Sequence, residues 1–467
     1  MIVPAWVQDA VFYQIFPDRF YNGDPSNDPP NVERWGAPPT LWGYQGGDLR
    51  GIQERLDYLQ DLGITALYLN PIFHAGSNHR YNTIDYLRID PRLGTESDFD
   101  ALIGDIHRRG MRLILDGVFN HSGRGFHAFV DLLENEEHSA FRDWYHVRSF
   151  PLDAFGPGKA EAYEAWWGIK SLPKFNISHP DVRRYLLGVA RHWIERGADG
   201  WRLDVPNEID DDSFWREFRE TVKGANPDAY LVGEIWTVDP RWVGSGHFDG
   251  LMNYPVREAL LEFLVGGQLQ PSQFSQRLEA ILAAYPSEHT HAHYLPLGSH
   301  DTPRIRTLCP EDNSLRQLFV VQFALPGAPG IYYGDEIGLP GDKDPDSRRA
   351  FPWDESAWDA DLRALVRTLV DLRKREPALR RGELRVLLAD DERGLLSFSR
   401  TSGDREVRVV LSVSDSDQVV LLPAGGSGWE PGRAVREQLR GETRSLSPAG
   451  LRVEIEPRGA QIWTPAS

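Results

Sequence analysis

Four short apolar runs in this chain end in residues able to do acid–base or nucleophilic work. They are Leu113-Ile114-Leu115-Asp116, Gly200-Trp201-Arg202-Leu203-Asp204, Leu231-Val232-Gly233-Glu234 and Leu297-Gly298-Ser299-His300-Asp301. In a β-strand, side chains two apart share a face, so Arg202 and Asp204 emerge together. An arginine beside an aspartate favours the charged form, and a carboxylate kept ionised can act as a nucleophile or as an electrostatic stabiliser. A structural ion pair is the alternative for Arg202 and Asp204 taken alone. Four strand-like runs ending in catalytic residue types favour a site.

The elements needed to hold these residues alternate along the chain. Strand-like runs near positions 11, 65, 113, 201, 231, 251, 294 and 331 are separated by segments with helical spacing. Leu49 to Leu62 is one such segment, with Ile52, Leu56, Leu59 and Leu62 on one side. Asp98 to Arg109 and Val182 to Arg196 are others, each followed by the glycine that suits a left-handed helix end. Alternation of this kind implies right-handed parallel crossovers, and eight units fit a closed (β/α)8 TIM barrel, whose catalytic residues sit at the C-terminal strand ends. The barrel is expected over 1–120 and 179–384. Residues 121–178, rich in aromatics and prolines with weak periodicity, read as a subdomain inserted after strand 3. From 385 to 467 the texture changes to alternation and turns, which predicts a C-terminal antiparallel β-sandwich domain.

Composition limits the partners. The chain has 467 residues, 41% hydrophobic and 26% charged, with a net charge of −18. That charge disfavours nucleic acid and anionic membrane surfaces as partners. There is a single cysteine, Cys309, so no internal disulfide can form, and its apolar flanks suggest packing. Met1 to Gln14 lacks the features of a signal peptide and no run of 18 apolar residues occurs, so a cytoplasmic location is expected.

The motifs themselves carry a resemblance. Asp116-Gly117-Val118-Phe119-Asn120-His121, Gly200-Trp201-Arg202-Leu203-Asp204, Gly233-Glu234-Ile235-Trp236 and Ser299-His300-Asp301 resemble, in order, the four motif regions of the α-amylase family of glycoside hydrolases. Leu172-Pro173-Lys174-Phe175-Asn176 is similar to the extra motif of the neopullulanase, cyclomaltodextrinase and maltogenic amylase branch. Val205-Pro206-Asn207-Glu208 is similar to the Val-Ala-Asn-Glu found there, with proline in place of alanine. The resemblance is to that branch without its N-terminal domain.

The resemblance implies a retaining α-glucan hydrolase. Asp204 would be the nucleophile, Glu234 the acid/base and Asp301 the carboxylate that binds sugar hydroxyls. Breaking an acetal needs an acid on the leaving oxygen and a group opposite to trap the oxocarbenium-like centre. Glu234, as the acid, is expected to have a raised pKa and little contact with cations. Tyr81 would stack on the sugar at the cleavage point, and His121 and His300 would donate to its hydroxyls. Asp344 and Arg348 would meet the next sugar outward, Trp236 would be a platform beyond the scissile bond, and Asn207 and Glu208 would line the leaving-group side. Asn82 stands where most relatives have aspartate, and is read as a supporting residue.

The expected substrates are maltooligosaccharides and cyclodextrins, with pullulan a further candidate, giving mainly maltose and glucose. An α-1,6-acting debranching enzyme and a 4-α-glucanotransferase of the same fold are the alternatives, and a non-catalytic binding module is the most remote. The assembly is a monomer or homodimer. Finally, Asn22, Asp24, Asn27 and Asp28, joined by Asp48 and the carbonyl of Gly46, match a calcium loop of relatives, and a structural Ca²⁺ is expected there, with no organic cofactor.

Overall fold

The computed structural model describes residues 3–466. Met1, Ile2 and Ser467, at the outer ends of the first and last expected domains, lie outside the described residues. Eight parallel strands form the central sheet: β1 (Phe12–Ile15), β2 (Ala66–Leu69), β3 (Arg112–Gly117), β4 (Gly200–Leu203), β5 (Tyr230–Gly233), β6 (Gly250–Leu251), β7 (Tyr294–Pro296) and β8 (Ala328–Tyr332). Their order is β6-β5-β4-β3-β2-β1-β8-β7, and a parallel bridge between Met252 and Tyr294 brings the two ends together into a barrel. All eight expected strands are present.

Alternation along each strand divides two cores. Phe12, Tyr68, Ile114, Tyr230, Val232, Met252 and Tyr294 pack together inside the barrel, and Val7 in the short helix Ala5–Asp9 joins them. Tyr13, Ile15, Leu67, Leu69, Leu113 and Leu115 face outward into the layer of helices. Strands buried on both sides are apolar almost throughout, as the sequence shows. Two residues further along the inward faces of Ile114, Gly200 and Val232 come Asp116, Arg202 and Glu234, and Asp204 follows Arg202, so one register carries core at one level and chemistry at the next. Gly200 pairs with Tyr230, and a Cβ there would lie 2.1 Å from the Tyr230 carbonyl oxygen, so only glycine lets β4 and β5 approach.

Between β3 and the helix Pro180–Glu195 the chain forms a helix, His127–Asn135, and a stretch tied by isolated bridges, among them His121 with Lys174 and Ala165 with Pro173. Its aromatic side chains pack together, with Phe129 edge-on to Tyr145 and Tyr163 and Tyr145 stacked on Phe175, and join the core of the helix layer. At the C-terminal end, beginning at Glu383, a six-stranded antiparallel sheet faces a two-stranded ribbon across Trp429, Trp463, Val420 and Val453.

Three elements differ from expectation. The segment 49–62 is two helices, Leu49–Glu54 and Leu56–Leu62, broken at Arg55, whose guanidinium lies over the rings of Tyr21 and Trp353. Phe73–Ala75 and Thr83–Ile89 form an antiparallel pair that the sequence reading does not contain. The helix Asp312–Ala324 also escapes it. From Leu315 onward that helix is buried nearly all round, with Gln317 donating to the carbonyls of Ser412 and Gly459 in the C-terminal sheet. A helix apolar on every side has no amphipathic stripe to read. Cys309 is buried, and burial pushes its thiol up to about 11, in keeping with packing. No helix among the described residues is long and apolar enough to cross a membrane.

Candidate active site

Arg202 is the hub. Almost fully buried at the end of β4, it places Nη1 2.8 Å from Asp116 Oδ1 and 3.2 Å from Asp204 Oδ1, and Nη2 2.9 Å from Glu234 Oε1. The same arginine therefore contacts three carboxylates. This corrects the expectation that Glu234 has little contact with cations: Glu234 lies as close to the guanidinium as Asp204 does. Glu234 also accepts from the Val205 backbone N–H at 3.0 Å and from Trp236 Nε1 at 3.2 Å. The raised proton affinity expected of Glu234 is nonetheless present, from another source. Burial pushes it up, and the negative charge of Asp301 adds to that against Arg202. Burial likewise pushes Asp204 well above the usual carboxylate range, opposed by Arg202 and reinforced by Glu234, Asp116 and Asp301, which corrects the expectation that Arg202 beside it is enough to favour the charged form. Asp204 and Glu234 thus each retain a proton more readily than a free carboxyl does.

Asp301 behaves in the opposite way. Partial desolvation in the cleft would raise it, but His300 Nε2, 3.0 Å from its Oδ2, and then Arg348 and Arg202 hold it well below the usual range. Arg348 links the outer group to the inner one, with Nη2 3.4 Å from Asp301 Oδ1 and Nη1 3.2 Å from Asp344 Oδ1.

Tyr81 lies flat against His300, with ring centroids 5.4 Å apart and 7° between planes. Its hydroxyl meets Asp116 Oδ2 at 2.7 Å, Asn70 Nδ2 at 3.0 Å and His300 Nε2 at 2.6 Å. His300 Nδ1 in turn meets Gln14 Nε2 at 2.9 Å. His121 has both nitrogens engaged, Nε2 with the Tyr81 carbonyl at 3.2 Å and Nδ1 with Asn120 at 3.2 Å, and burial lowers its pKa to about 4. Both histidines thus brace their neighbours. Trp236 is 41% exposed and stacks on Tyr254 at 3.6 Å and 6°, which fixes it as a flat surface beside Glu234. Asn82 accepts from Ser77 Oγ at 2.6 Å and so supports the loop that carries Tyr81.

The turn after Asp204 is strained. Val205 has φ 35° and ψ 51°, a left-handed conformation that is an outlier for a β-branched residue, and Pro206 follows it. The strain turns the Val205 N–H toward Glu234, and strain of this kind gathers at functional sites. Pro206 also opens the short helical turn that carries exposed Asn207 and half-buried Glu208.

The sequence reading placed Asp116 at a catalytic strand end without giving it a role, and gave no part in the site to Gln14, Asn70 or Tyr68, whose hydroxyl donates to Asp116 Oδ2 at 2.6 Å. Asp116 had the signal, since it ends a strand like its three counterparts. Gln14 and Asn70 also had one, as amides at the ends of otherwise apolar strands.

A model described as alpha amylase, catalytic domain, matches residues 14–382 of this chain. The chain belongs to the α-amylase family. Among family members, it is 43% identical over 98% of its length to a cyclomaltodextrinase from Geobacillus thermopakistaniensis, of which it covers 77%. It is 42% identical over 98% of its length to neopullulanase 2 from Thermoactinomyces vulgaris, of which it covers 78%. Its structure superposes with a TM-score of 0.90, at 40% identity, on that of cyclic α-maltosyl-(1→6)-maltose hydrolase from Arthrobacter globiformis, covering 99% of this chain and all of that one. As an α-amylase family glycoside hydrolase the chain also joins its two branch-like motifs physically. Lys174 of the first lies 4.0 Å from Glu208 of the second, connecting the inserted segment to the loop after β4.

The loop expected to hold calcium has a mixed donor set. Asn22 Oδ1 and Asn27 Oδ1 are buried without a partner, an arrangement that a bound cation would relieve. Asn22 Nδ2 lies 3.0 Å from each Asp28 oxygen, and a Cβ at Gly46 (φ 83°) would sit 2.2 Å from Asp28 Oδ1. These residues therefore converge and fit a hard cation. Asp24 is turned elsewhere, accepting from Ser26 Oγ at 2.6 Å and pairing with Arg50 at 3.2 Å. Asp48 accepts from the backbone N–H groups of Gly23, Asp24 and Gly51 and from Asn27 Nδ2. Among the described residues no three His, Cys, Asp or Glu side chains cluster as a metal site, so the fit rests on amide and carbonyl oxygens as well as carboxylates.

Proposed function

We propose that the chain is a retaining hydrolase of α-1,4-glucosidic bonds in maltooligosaccharides and cyclodextrins, with maltose and glucose as its main products. The observation that carries this reading is the convergence of Asp204 and Glu234, from the ends of neighbouring strands, on the one buried guanidinium of Arg202, with Asp301 and Arg348 beside them. With the proton on Glu234 and Asp204 ionised, Asp204 attacks the anomeric carbon while Glu234 protonates the departing glycosidic oxygen. Asp204 is then covalently bound to the sugar. Glu234, now ionised, removes a proton from water, which attacks the same carbon, releases Asp204 and restores the starting anomeric configuration. Asp301 and Arg348 would hold sugar hydroxyls, and Trp236 would take the sugar on the leaving side. A Ca²⁺ in the Asn22, Asn27, Asp28 and Gly46 loop, with Asp24 and Asp48 supporting it, would be structural, neutralising the converging oxygens of the segment that precedes β2.

The test is chromatography of products from maltotriose, β-cyclodextrin, pullulan, starch and a branched maltooligosaccharide. Faster cleavage of cyclodextrin and maltooligosaccharides than of starch is expected, and starch as the best substrate with cyclodextrin inert would overturn the reading. One observation favours a second reading, action on α-1,6 bonds: the likeness to the Arthrobacter enzyme, whose named substrate contains such a linkage. Preferential cleavage of the branch point in the same experiment would select it, and new longer products from maltotriose would select transfer.

A further inference from the structure

A small pocket is lined by Asn78, His79, Asp344 and Arg348 together with Leu41 and Trp42. Trp42 is 78% exposed and Leu41 53% exposed, the indole being the most exposed large apolar side chain among the described residues. The backbone that carries them is held firmly. Buried Asn78 donates to the carbonyls of Leu41 at 3.2 Å and Gly43 at 2.7 Å, and buried Arg19 donates to the Gly43 carbonyl at 2.7 Å. Thr40 closes the turn, donating to Glu33 at 3.0 Å and accepting from the Gly43 N–H at 2.9 Å. The loop therefore spends buried polar groups on fixing its main chain while presenting an indole to solvent, the arrangement of a preorganised contact surface.

We propose that Trp42, with Leu41 beside it, is a platform for an outer glucosyl residue, the one that follows the sugar met by Asp344 and Arg348 on the non-reducing side of an α-1,4-glucan. The occupant is assigned by position and chemistry. The pocket is lined at once by Asp344, Arg348 and Trp42, so a chain that extends past the Asp344–Arg348 pair on this side meets the indole. The apolar C–H face of a pyranose suits an aromatic surface, while its hydroxyls suit Asn78, Asp344 and Arg348. Trp42 is a specificity-determining residue for chain length, and its role rests on the α-glucan reading given above.

The experiment compares kcat/KM for maltohexaose and maltotriose in the wild type, Trp42→Ala and Trp42→Phe, with thermal melting to confirm folding. In Trp42→Ala the ratio of maltohexaose to maltotriose is expected to fall five- to tenfold through KM, and Trp42→Phe to recover most of it. A ratio that stays within twofold of the wild type, or that rises as it would if Trp42 were a wall shortening the cleft, overturns the proposal. Calorimetric binding of maltohexaose to Asp204→Asn, with and without Trp42→Ala, separates the two readings. Failure of the wild type to cleave either sugar defeats the hydrolase reading, whereas equal affinity of the two variants defeats the platform alone.

Discussion

Two of the regions in which this molecule buries arginines treat them differently. At the top of the barrel Arg202 faces Asp116, Asp204 and Glu234, three carboxylates to one cation. At the seam between the barrel and the C-terminal sheet, Arg400 donates to the carbonyls of Gly382 and Ala324, and Arg373 to those of Phe323, Leu379, Gln8 and Gly327. The seam meets its charge with neutral dipoles, which satisfy a guanidinium without adding anything that titrates near neutral pH. The site meets its charge with an excess of anions, so a proton must be kept or a ligand found. At the seam the buried guanidiniums meet only dipoles, while in the site the buried guanidinium meets an excess of opposite charge.

The largest way to break this contrast is Asp204→Asn, which keeps volume and removes one anion. Turnover is expected to fall by at least about 10³-fold; a variant retaining a tenth of wild-type kcat would sink the assignment. Its stability should move in the other direction. A carboxyl whose folded pKa is raised contributes stability that is fully present below its unfolded pKa and is lost as pH rises through the folded value. The melting temperature of Asp204→Asn relative to wild type should therefore be higher at pH 8 than at pH 5, and scanning calorimetry at the two values checks it.

Glu234→Gln should remove hydrolysis of natural glucans yet leave measurable release of nitrophenol from an aryl maltoside, which needs little acid help. Because Glu234 is raised, wild-type kcat/KM should decline as pH rises through the pair's upper pKa, above the ordinary carboxylate range. That limb should disappear for the variant on the aryl substrate, and its persistence would move the acid role elsewhere.

At the seam, Arg400→Met should cost about 2–4 kcal/mol, because buried carbonyls lose their donors. Urea unfolding measures the loss, and the comparison predicts that kcat at 25 °C stays within about twofold, since no titrating group is touched. A large fall in kcat with little change in stability would erase the distinction between the regions. The smallest effect is expected from calcium: chelation should lower the melting temperature by a few degrees, and Asp28→Ala should make melting insensitive to chelator. Identical melting curves with and without chelator would remove the ion.

The barrel was legible because each strand is a short apolar run whose end changes abruptly to a polar residue, as at Leu115-Asp116 and Leu203-Asp204. The same alternation exposed the three carboxylates. What stayed hidden was whatever had no periodicity or no neighbour in sequence. The helix Asp312–Ala324 is buried on all sides and looks like neither a surface helix nor a strand. The partners of the site's residues were equally hidden, since Gln14 lies 286 residues from His300, which it orients, and Asp116 lies 86 from Arg202. The cation beside Glu234 was missed for that reason: spacing links Arg202 to Asp204 along one strand and says nothing of the strand alongside.

Strand β1 lies between β2 and β8, and it supplies the amide that orients His300. One of its edges can be covered as soon as β2 exists. The other waits for β8, which ends at Tyr332. A ribosome adding roughly 5–20 residues per second needs roughly 15–65 s to travel from Ile15 to that point. Throughout that interval a nascent chain shows an open apolar strand edge of the kind that invites mispairing. It already contains most of its catalytic carboxylates, in a barrel that has not yet closed. Synthesis thus delivers the residues for the reaction one by one, but the catalyst itself arrives only when the eighth strand reaches the first.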